Sequence, residues 1–491
     1  MAWIDFIEQN AKRFNEKLAL SDAVTGRDLS YQELNNIVNL YAQSFYKQGV
    51  RTGDRVAFLA TNRLEHILYL LACAKIGAIF VPLNFRLSVG ELEVILNKVE
   101  AKIFIANMFV SELSRFNPIH LDEFSIEDEV LENFDTLPNE ISDENPVLML
   151  FTSGSTGEPK GALFSSRMIY TNQVETTSAW EITESDSTVV ETPFFHTGGI
   201  NVLLLPLLLV GGHAYLAPKF EVDSAFDYFE KKHITIYFGV PTMFQLLLEH
   251  PRFKTCDFSS LRFFLSGGAA CPVSVITAFS ECGVGIKQGF GLTEVGPNCF
   301  DLPEEFGISK KGSIGRPMKH SDVLVMNESG VVTTAHTPGE LLIRGPHVFS
   351  GYFKDENKYH DSLFEGYFKT GDLVQFDEEG FFYVVGRIKD MYISGGENVY
   401  PGEVEKQILT HPFVREAVVV SKKDERWGEV GVAFVRANSP VSKDEMRNFL
   451  SDKLSRYKHP HEVVCLEEFP LLANGKINRQ ELKKLACTNM A

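Results

Sequence analysis

Along this chain, short unbroken apolar runs alternate with longer segments whose apolar residues recur at helical spacing. Val56–Ala60 reads as a strand, Glu65–Lys75 as a helix, and Ala78–Val81 as a second strand stopped by Pro82. Strand, helix, strand is the βαβ unit of a parallel sheet. The device recurs at Lys102–Ala106. It recurs again at Ile234–Val240, which leads through Pro241 into the helical TMFQLLLEH, and at Arg262–Leu265, which breaks into a Gly-Gly loop before a helix starting near Pro272. Upstream, MAWIDFIEQNAKRF has the pattern of an amphipathic helix, Gly26 marks a hairpin or turn, and Ser30 with Glu33 three residues on forms a capping box. The expected fold is α/β, with a large N-terminal domain of βαβ-built sheets. Ligands of such sheets gather at the carboxyl ends of the strands, so the loops at Thr152, Gly267 and Gln288 are candidates to face one cleft.

After Gly386 the pattern changes. The hairpin LVQF-DEEG-FFYVV gives way through glycines to a helix over Gly402–Leu409, strands around Ala417–Ser421 and Val430–Arg436, and a helix over Asp444–Leu454. This predicts a smaller α+β C-terminal domain, with domains over 1–387 and 388–491. A chain of 491 residues exceeds what one core supports. A composition of 44% hydrophobic and 23% charged residues is that of a soluble globular protein. The formal charge of -18 argues against non-specific nucleic-acid binding and docking on anionic lipid. An anionic substrate would therefore need local positive groups. Seven scattered cysteines without a CxxC pair fit a reduced, cytoplasmic compartment. Val202–Val210 is too short to span a bilayer, and the N-terminus lacks the apolar core of a signal peptide, so no stable membrane insertion is expected.

Candidate chemistry centres on Phe151–Gly161, FTSGSTGEPKG, read as a loop after the apolar Pro146–Leu150. Its glycines allow close backbone approach, its hydroxyls donate, and its lysine supplies charge, all suited to phosphate oxygens. The spacing of Gly154, Gly157 and Lys160 is not that of a Walker motif. Taken alone, the run is equally a flexible surface turn.

The loop resembles the phosphate-binding motif of the adenylate-forming (AMP-binding) superfamily, and among its members the chain is most similar in type to the fatty-acid–CoA ligases. Further motifs follow in order: PFFHTGG (Pro193–Gly199), QGFGLTE (Gln288–Glu294), YFKTGDLV with Asp372, Gly386-Arg387, the glycine-rich GRIKDMYISGGENVYPGEVE, and PLLANGKINRQEL (Pro470–Leu482). The resemblance implies that Thr152, Ser153, Gly154, Ser155, Thr156, Gly157 and Lys160 cradle ATP phosphates. It places Gly268, Ala269, Gln288, Gly289, Phe290 and Gly291 around the nucleotide, with the Phe290 ring stacked on adenine where relatives carry tyrosine. It gives His196 to the carboxylate pocket, Thr293 to the α-phosphate or carboxylate, and Glu294 to Mg²⁺. Asp372 and Arg387 would bind ribose, Lys389 would be the hinge, Gly396 would let a pantetheine arm pass, and Lys476 would touch the carboxylate and α-phosphate. Read without the family, His196 is more often a structural histidine, Asp372 and Arg387 are more often solvated surface by a turn, Lys476 is more often a turn residue, and Thr293 and Glu294 are equally a helix cap.

The implied activity is an ATP-dependent acid–thiol ligase that adenylates a small-molecule carboxylic acid and passes the acyl group to CoA. The cofactor set is ATP, Mg²⁺ and CoA. PFFHTGG offers no aspartate for an α-amino group, which disfavours amino acids. Apolar sequence after it favours a medium- or long-chain fatty acid, with a cinnamate- or succinylbenzoate-type aryl acid as the alternative. Transfer to an acyl carrier protein, a luciferase-like oxidation and a non-catalytic nucleotide binder stay open as other outcomes, and so does a homodimer.

Overall fold

The computed structural model describes residues 3–124, 141–153, 159–269, 271–472 and 476–488. They form two compact units. The first comprises Met1–Ser309, Pro317–Asp322 and Arg344–Phe368; the second comprises Lys310–Arg316, Val323–Ile343 and Lys369–Ala491. The expected boundary at 387/388 falls inside the second unit.

The first unit holds three sheets that follow the apolar pattern. In the largest, the strand order is Gly351–Tyr352, Pro159–Ser165, Pro146–Ser153, Ile79–Pro82, Arg55–Leu59, Ile103–Ala106, Ile119–His120. Arg55–Leu59 pairs in parallel with both Ile79–Pro82 and Ile103–Ala106. The helix Glu65–Ile76 makes the crossover between the first two. A second sheet pairs Leu18–Asp22, His213–Leu216 and Ser187–Val190 in parallel. The third is Ile236–Gly239, Phe263–Ser266 and Ile286–Gln288, also parallel. Alternation along its strands divides the faces: Tyr237, Phe264 and Ile286 enter a core rich in phenylalanine with Phe226, Phe229 and Phe244, while Phe238 and Leu265 point to the other side.

One local expectation holds in detail. Ser30 caps the helix Tyr31–Lys47, its hydroxyl accepting from the Glu33 amide while the Glu33 carboxylate accepts from the Ser30 amide at 2.8 Å. Val202–Val210 is largely a buried helix, Leu204–Val210. Its terminal carbonyls are taken by Asn10, whose amide donates to Leu208 and Leu209.

In the second unit, the part of the strand Tyr367–Phe376 from Asp372 on pairs with Phe382–Arg387 as an antiparallel hairpin in which Asp372 faces Arg387. Further on, Val414–Asp424 and Gly428–Ala437 pair as a long antiparallel hairpin, with Glu462–Cys465 added in parallel. Period-two burial again separates two cores. Val419, Ala433 and Val435 pack with Val404, Ile408, Met446 and Leu450, whereas Val418, Val420, Val432 and Phe434 pack with Leu482 and Ala486. Both clusters draw only on residues after 391.

Candidate active site

The Phe151–Gly161 stretch is not a loop throughout. Phe151, Thr152 and Ser153 continue the strand from Pro146, and Pro159, Lys160 and Gly161 begin the returning strand. Cross-strand register pairs Phe151 with Gly161, Thr152 with Lys160, and Ser153 with Pro159. The polar composition disguises an extended hairpin, because the ladder uses backbone groups that side-chain polarity does not report. Gly154, Ser155, Thr156 and Gly157 lie outside the described residues. Gly161 is required by packing: a Cβ there would lie 2.7 Å from the Met149 sulfur.

Segment 349–353 brings this hairpin beside QGFGLTE. Its Tyr352 pairs with Ala162, the Phe353 amide donates to the Gly161 carbonyl at 2.8 Å, and the Phe349 amide donates to the Glu294 carbonyl at 2.9 Å. Tyr352 then joins both motifs through its side chain. Its hydroxyl donates to Glu294 Oε1 at 3.0 Å, and Lys160 Nζ lies 5.4 Å from its ring centroid. Burial and the Glu294 charge push the Tyr352 phenol well above its ordinary range. Desolvation lowers the Lys160 ammonium, with Glu294 opposing. Tyr352 carries no signal in sequence, since its role arises only from strand pairing.

Thr293 and Glu294 do not cap a helix. They occupy the tight turn between Phe290–Leu292 and Gly296–Asp301, an antiparallel hairpin. Gly291 is forced here, because a Cβ would meet the Pro297 carbonyl oxygen at 2.2 Å. The turn is held from behind by His347, fully buried, whose Nδ1 donates to the Val295 carbonyl at 2.7 Å and whose Nε2 accepts from the Ser321 hydroxyl at 2.9 Å. The half-buried Phe290 ring is set edge-to-face on Phe300, centroids 5.4 Å apart. Gln288 Oε1 accepts from the Cys271 amide, and the Gly289 amide donates to Ser266, so QGF lies against the strand that ends in the Gly267–Gly268 bend. Gly268 takes φ +82° there, and Gly268 and Ala269 are exposed.

PFFHTGG is pinned from the first sheet. Buried Asn62 accepts from the Phe194 amide at 2.9 Å and donates to the Thr192 carbonyl at 2.8 Å. His196 is half-buried against Phe195, which meets Phe85 edge-on. Just before the motif, buried Glu191 accepts from the Tyr237 hydroxyl at 2.8 Å, and burial pushes its pKa up to about 8.

The second unit gathers Asp372, Arg387, Lys389 and Lys476. Asp372 lies within a continuous strand rather than after a turn. Gly371, at φ +71°, and a register shift just beyond bend the strand instead. The Asp372 carboxylate is 2% exposed; Oδ1 accepts from Arg387 Nε at 2.7 Å, and Oδ2 has no hydrogen-bond partner among the described residues. Burial raises its pKa, while Arg387, Lys389 and Lys476 pull it down. Lys476 stands where the Leu472 amide donates to its carbonyl and Ile477 bridges to Leu471. Asn474 lies outside the described residues. The Lys476 residue keeps exposed surface, yet crowding desolvates its ammonium and, with repulsion from Arg387 and Lys389, lowers its pKa against the pull of Asp372. Arg479 anchors this segment, donating to the Val419 carbonyl and, through Nη2, to both oxygens of Glu405 at 2.7 and 2.9 Å. Lys389 sits exposed in the single 3₁₀ turn Ile388–Asp390. Gly396 is the second residue of a two-residue turn, Gly395-Gly396, with φ +63° and +90° joining Ser394 to Glu397.

Residues 7–353 match the model of the AMP-binding enzyme family, and residues 403–476 match its C-terminal domain. The chain belongs to the AMP-binding enzyme family. Within that family it is 36% identical over 470 residues to a feruloyl-CoA synthase of an Amycolatopsis species, covering 94% of each chain. It is 34% identical to an indoleacetate–CoA ligase of Aromatoleum aromaticum, covering 94% of this chain and 93% of the relative. Its structure matches o-succinylbenzoate CoA synthetase of Bacillus subtilis in complex with the acyl-adenylate intermediate, with a TM-score of 0.87, 30% identity and 98% of each chain covered. That synthetase is also known with ATP and magnesium ion. This member of the AMP-binding family is an adenylate-forming acid–CoA ligase with a mixed α/β fold, a large N-terminal part and a smaller C-terminal one. Among its described residues no helix is long and apolar enough to cross a membrane.

Proposed function

We propose that the acid activated is an aryl acid, rather than the medium- or long-chain fatty acid that the apolar sequence after PFFHTGG favours. The observation that carries this reading is the aromatic cluster beside His196, whose ring packs on Phe195 with centroids 4.6 Å apart while Phe195 meets Phe85 edge-on. A planar ring slots against such edges at a gain of about 0.5–1.5 kcal/mol per pair beyond burial. The ferulate, indoleacetate and succinylbenzoate ligases named above point the same way. The acceptor is CoA.

In the first half-reaction an acid carboxylate, ionised at neutral pH, attacks the α-phosphorus of ATP and pyrophosphate leaves. Positioning and charge stabilisation do the catalysis. Phe290 offers adenine a ring face held by Phe300, and Asp372 offers ribose its buried Oδ2. Lys160 and the Thr152 hairpin receive the phosphates, with Thr293 at the α-phosphate or carboxylate. Lys476 neutralises charge at the reacting oxygens. Glu294, a single carboxylate with one oxygen already held by Tyr352, fits an Mg²⁺ ion that takes most of its ligands from phosphate and water. When bound, that ion would neutralise phosphate charge. In the second half-reaction the segment after Lys389 turns, withdrawing Lys476 and presenting the Gly395-Gly396 turn to the pantetheine arm. The homologous C-terminal match and the two self-contained cores beyond residue 391 support placing the turning point there.

Pyrophosphate release measured across hydroxycinnamates, indole acids, succinylbenzoate and straight-chain fatty acids, with and without CoA, tests this. Turnover confined to aryl acids is expected; preference for a fatty acid of any length would overturn it.

A further inference from the structure

Tyr352 touches both charged groups on the phosphate side of the candidate site, and it does so with different atoms. Its hydroxyl donates to Glu294 Oε1 at 3.0 Å, while its ring lies 5.4 Å from Lys160 Nζ, measured to the centroid. The tyrosine is itself held on every side. It is 8% exposed, and its ring stands edge-on to Phe349 with centroids 4.9 Å apart. Phe349 in turn meets Tyr359 and Phe368 edge-on at 5.3 and 5.4 Å. The backbone repeats the connection, since Tyr352 pairs with Ala162 on the strand that carries Lys160, and the Phe349 amide donates to the Glu294 carbonyl. One rigid side chain therefore spans from the Lys160 strand to the Glu294 turn, all within the first unit.

Resting on the reading that Glu294 meets Mg²⁺ and Lys160 the phosphates, we propose that Tyr352 is a positioning residue that sets the two charges independently. Its hydroxyl fixes the orientation of the Glu294 carboxylate before the metal arrives, and its ring face holds the Lys160 ammonium in place for phosphate oxygens. A hydrogen-bond donor behind a metal-binding carboxylate is worth about 10–100-fold in metal affinity. An aromatic face under a partly exposed ammonium contributes less.

The test uses Mn²⁺ as the metal and α,β-methylene-ATP, which cannot be adenylated, as the nucleotide. Bound Mn²⁺ is counted by electron paramagnetic resonance, and binding of the analogue without metal is measured by calorimetry in EDTA. Glu294→Gln and Lys160→Ala serve as reporters of the two underlying roles. Tyr352→Phe keeps the ring and the packing but lacks the hydroxyl, so it is expected to weaken Mn²⁺ binding about tenfold while the metal-free analogue binds as in the wild type. Tyr352→Leu removes the ring as well, and is expected in addition to weaken the metal-free analogue about two- to fivefold. If Glu294→Gln weakens Mn²⁺ binding and Tyr352→Phe does not, the positioning role is refuted and the metal reading stands. If neither variant moves Mn²⁺ binding, Glu294 does not meet the metal and both readings fall together. Equal losses for Tyr352→Phe with and without metal would mean that the hydroxyl acts on packing rather than through Glu294, which also overturns the proposal. Lys160→Ala weakening the metal-free analogue while Tyr352→Leu matches Tyr352→Phe would refute the part assigned to the ring.

Discussion

Lys476 and Glu191 show how much one side chain's surroundings decide. Lys476 is crowded by Arg387 and Lys389 while Asp372 pulls the other way, an arrangement that favours acquiring anionic oxygens. Lys476→Ala is expected to slow adenylation by about 10²–10³-fold while preformed acyl-adenylate still reacts with CoA. Single-turnover assays of the two half-reactions read this directly, and equal losses in both would refute the division of labour. Glu191 is a different case, a carboxyl whose folded-state pKa of about 8 lies above its ordinary 4.5 because burial penalises its charge. A raised pKa means its contribution to stability is complete below about pH 4.5 and is lost as pH climbs through about 8. Glu191→Gln keeps an acceptor for the Tyr237 hydroxyl but cannot ionise. Its melting temperature should therefore gain on the wild type between pH 5 and pH 9, by up to about 3–5 kcal/mol of stability. A difference between the two proteins that is flat with pH would show Glu191 charged throughout.

Among elements, hairpins rather than helices present the candidate catalytic groups. Thr293 and Glu294 ride on a turn whose Val295 carbonyl is held by His347. His347→Leu leaves that buried carbonyl and the Ser321 hydroxyl without their partner, costing about 1–3 kcal/mol of stability. It should also raise KM for ATP with magnesium more than KM for the acid, whereas a purely structural role would move neither. The βαβ units and the Ser30–Glu33 cap are legible in sequence because hydrophobic period and capping chemistry are local. The Phe151–Gly161 hairpin is not, because Thr152, Ser153 and Lys160 look like loop residues while their backbones pair across a ladder. Asp372 was misplaced for a related reason: Thr-Gly-Asp reads as a turn, yet Gly371 bends a strand that runs on to Phe376. Tyr352 and His347 were invisible altogether. Their roles come from pairings across long stretches of chain that no spacing rule encodes.

Over the whole molecule, two-part construction was legible in the change of pattern after Gly386, though compactness draws the units differently from the expected boundary. The segment around Lys389 is where rotation would count. Proline there fixes φ and removes a degree of freedom, so Lys389→Pro is expected to leave acyl-adenylate formation near wild type and to depress CoA-dependent thioester release; equal effects on both half-reactions would place the pivot elsewhere. In the ribose-binding role proposed above, the buried carboxylate of Asp372 has a consequence for which nucleotide the enzyme draws from a mixed pool. With Oδ1 committed to Arg387 and Oδ2 still open, a sugar lacking a hydroxyl would leave that oxygen desolvated and unanswered, at a cost of about 1–3 kcal/mol. The 2′- or 3′-deoxy analogues of ATP should then compete poorly, by roughly 10–100-fold in kcat/KM, so that precursors of DNA synthesis are spared by one oxygen atom at the end of a salt bridge.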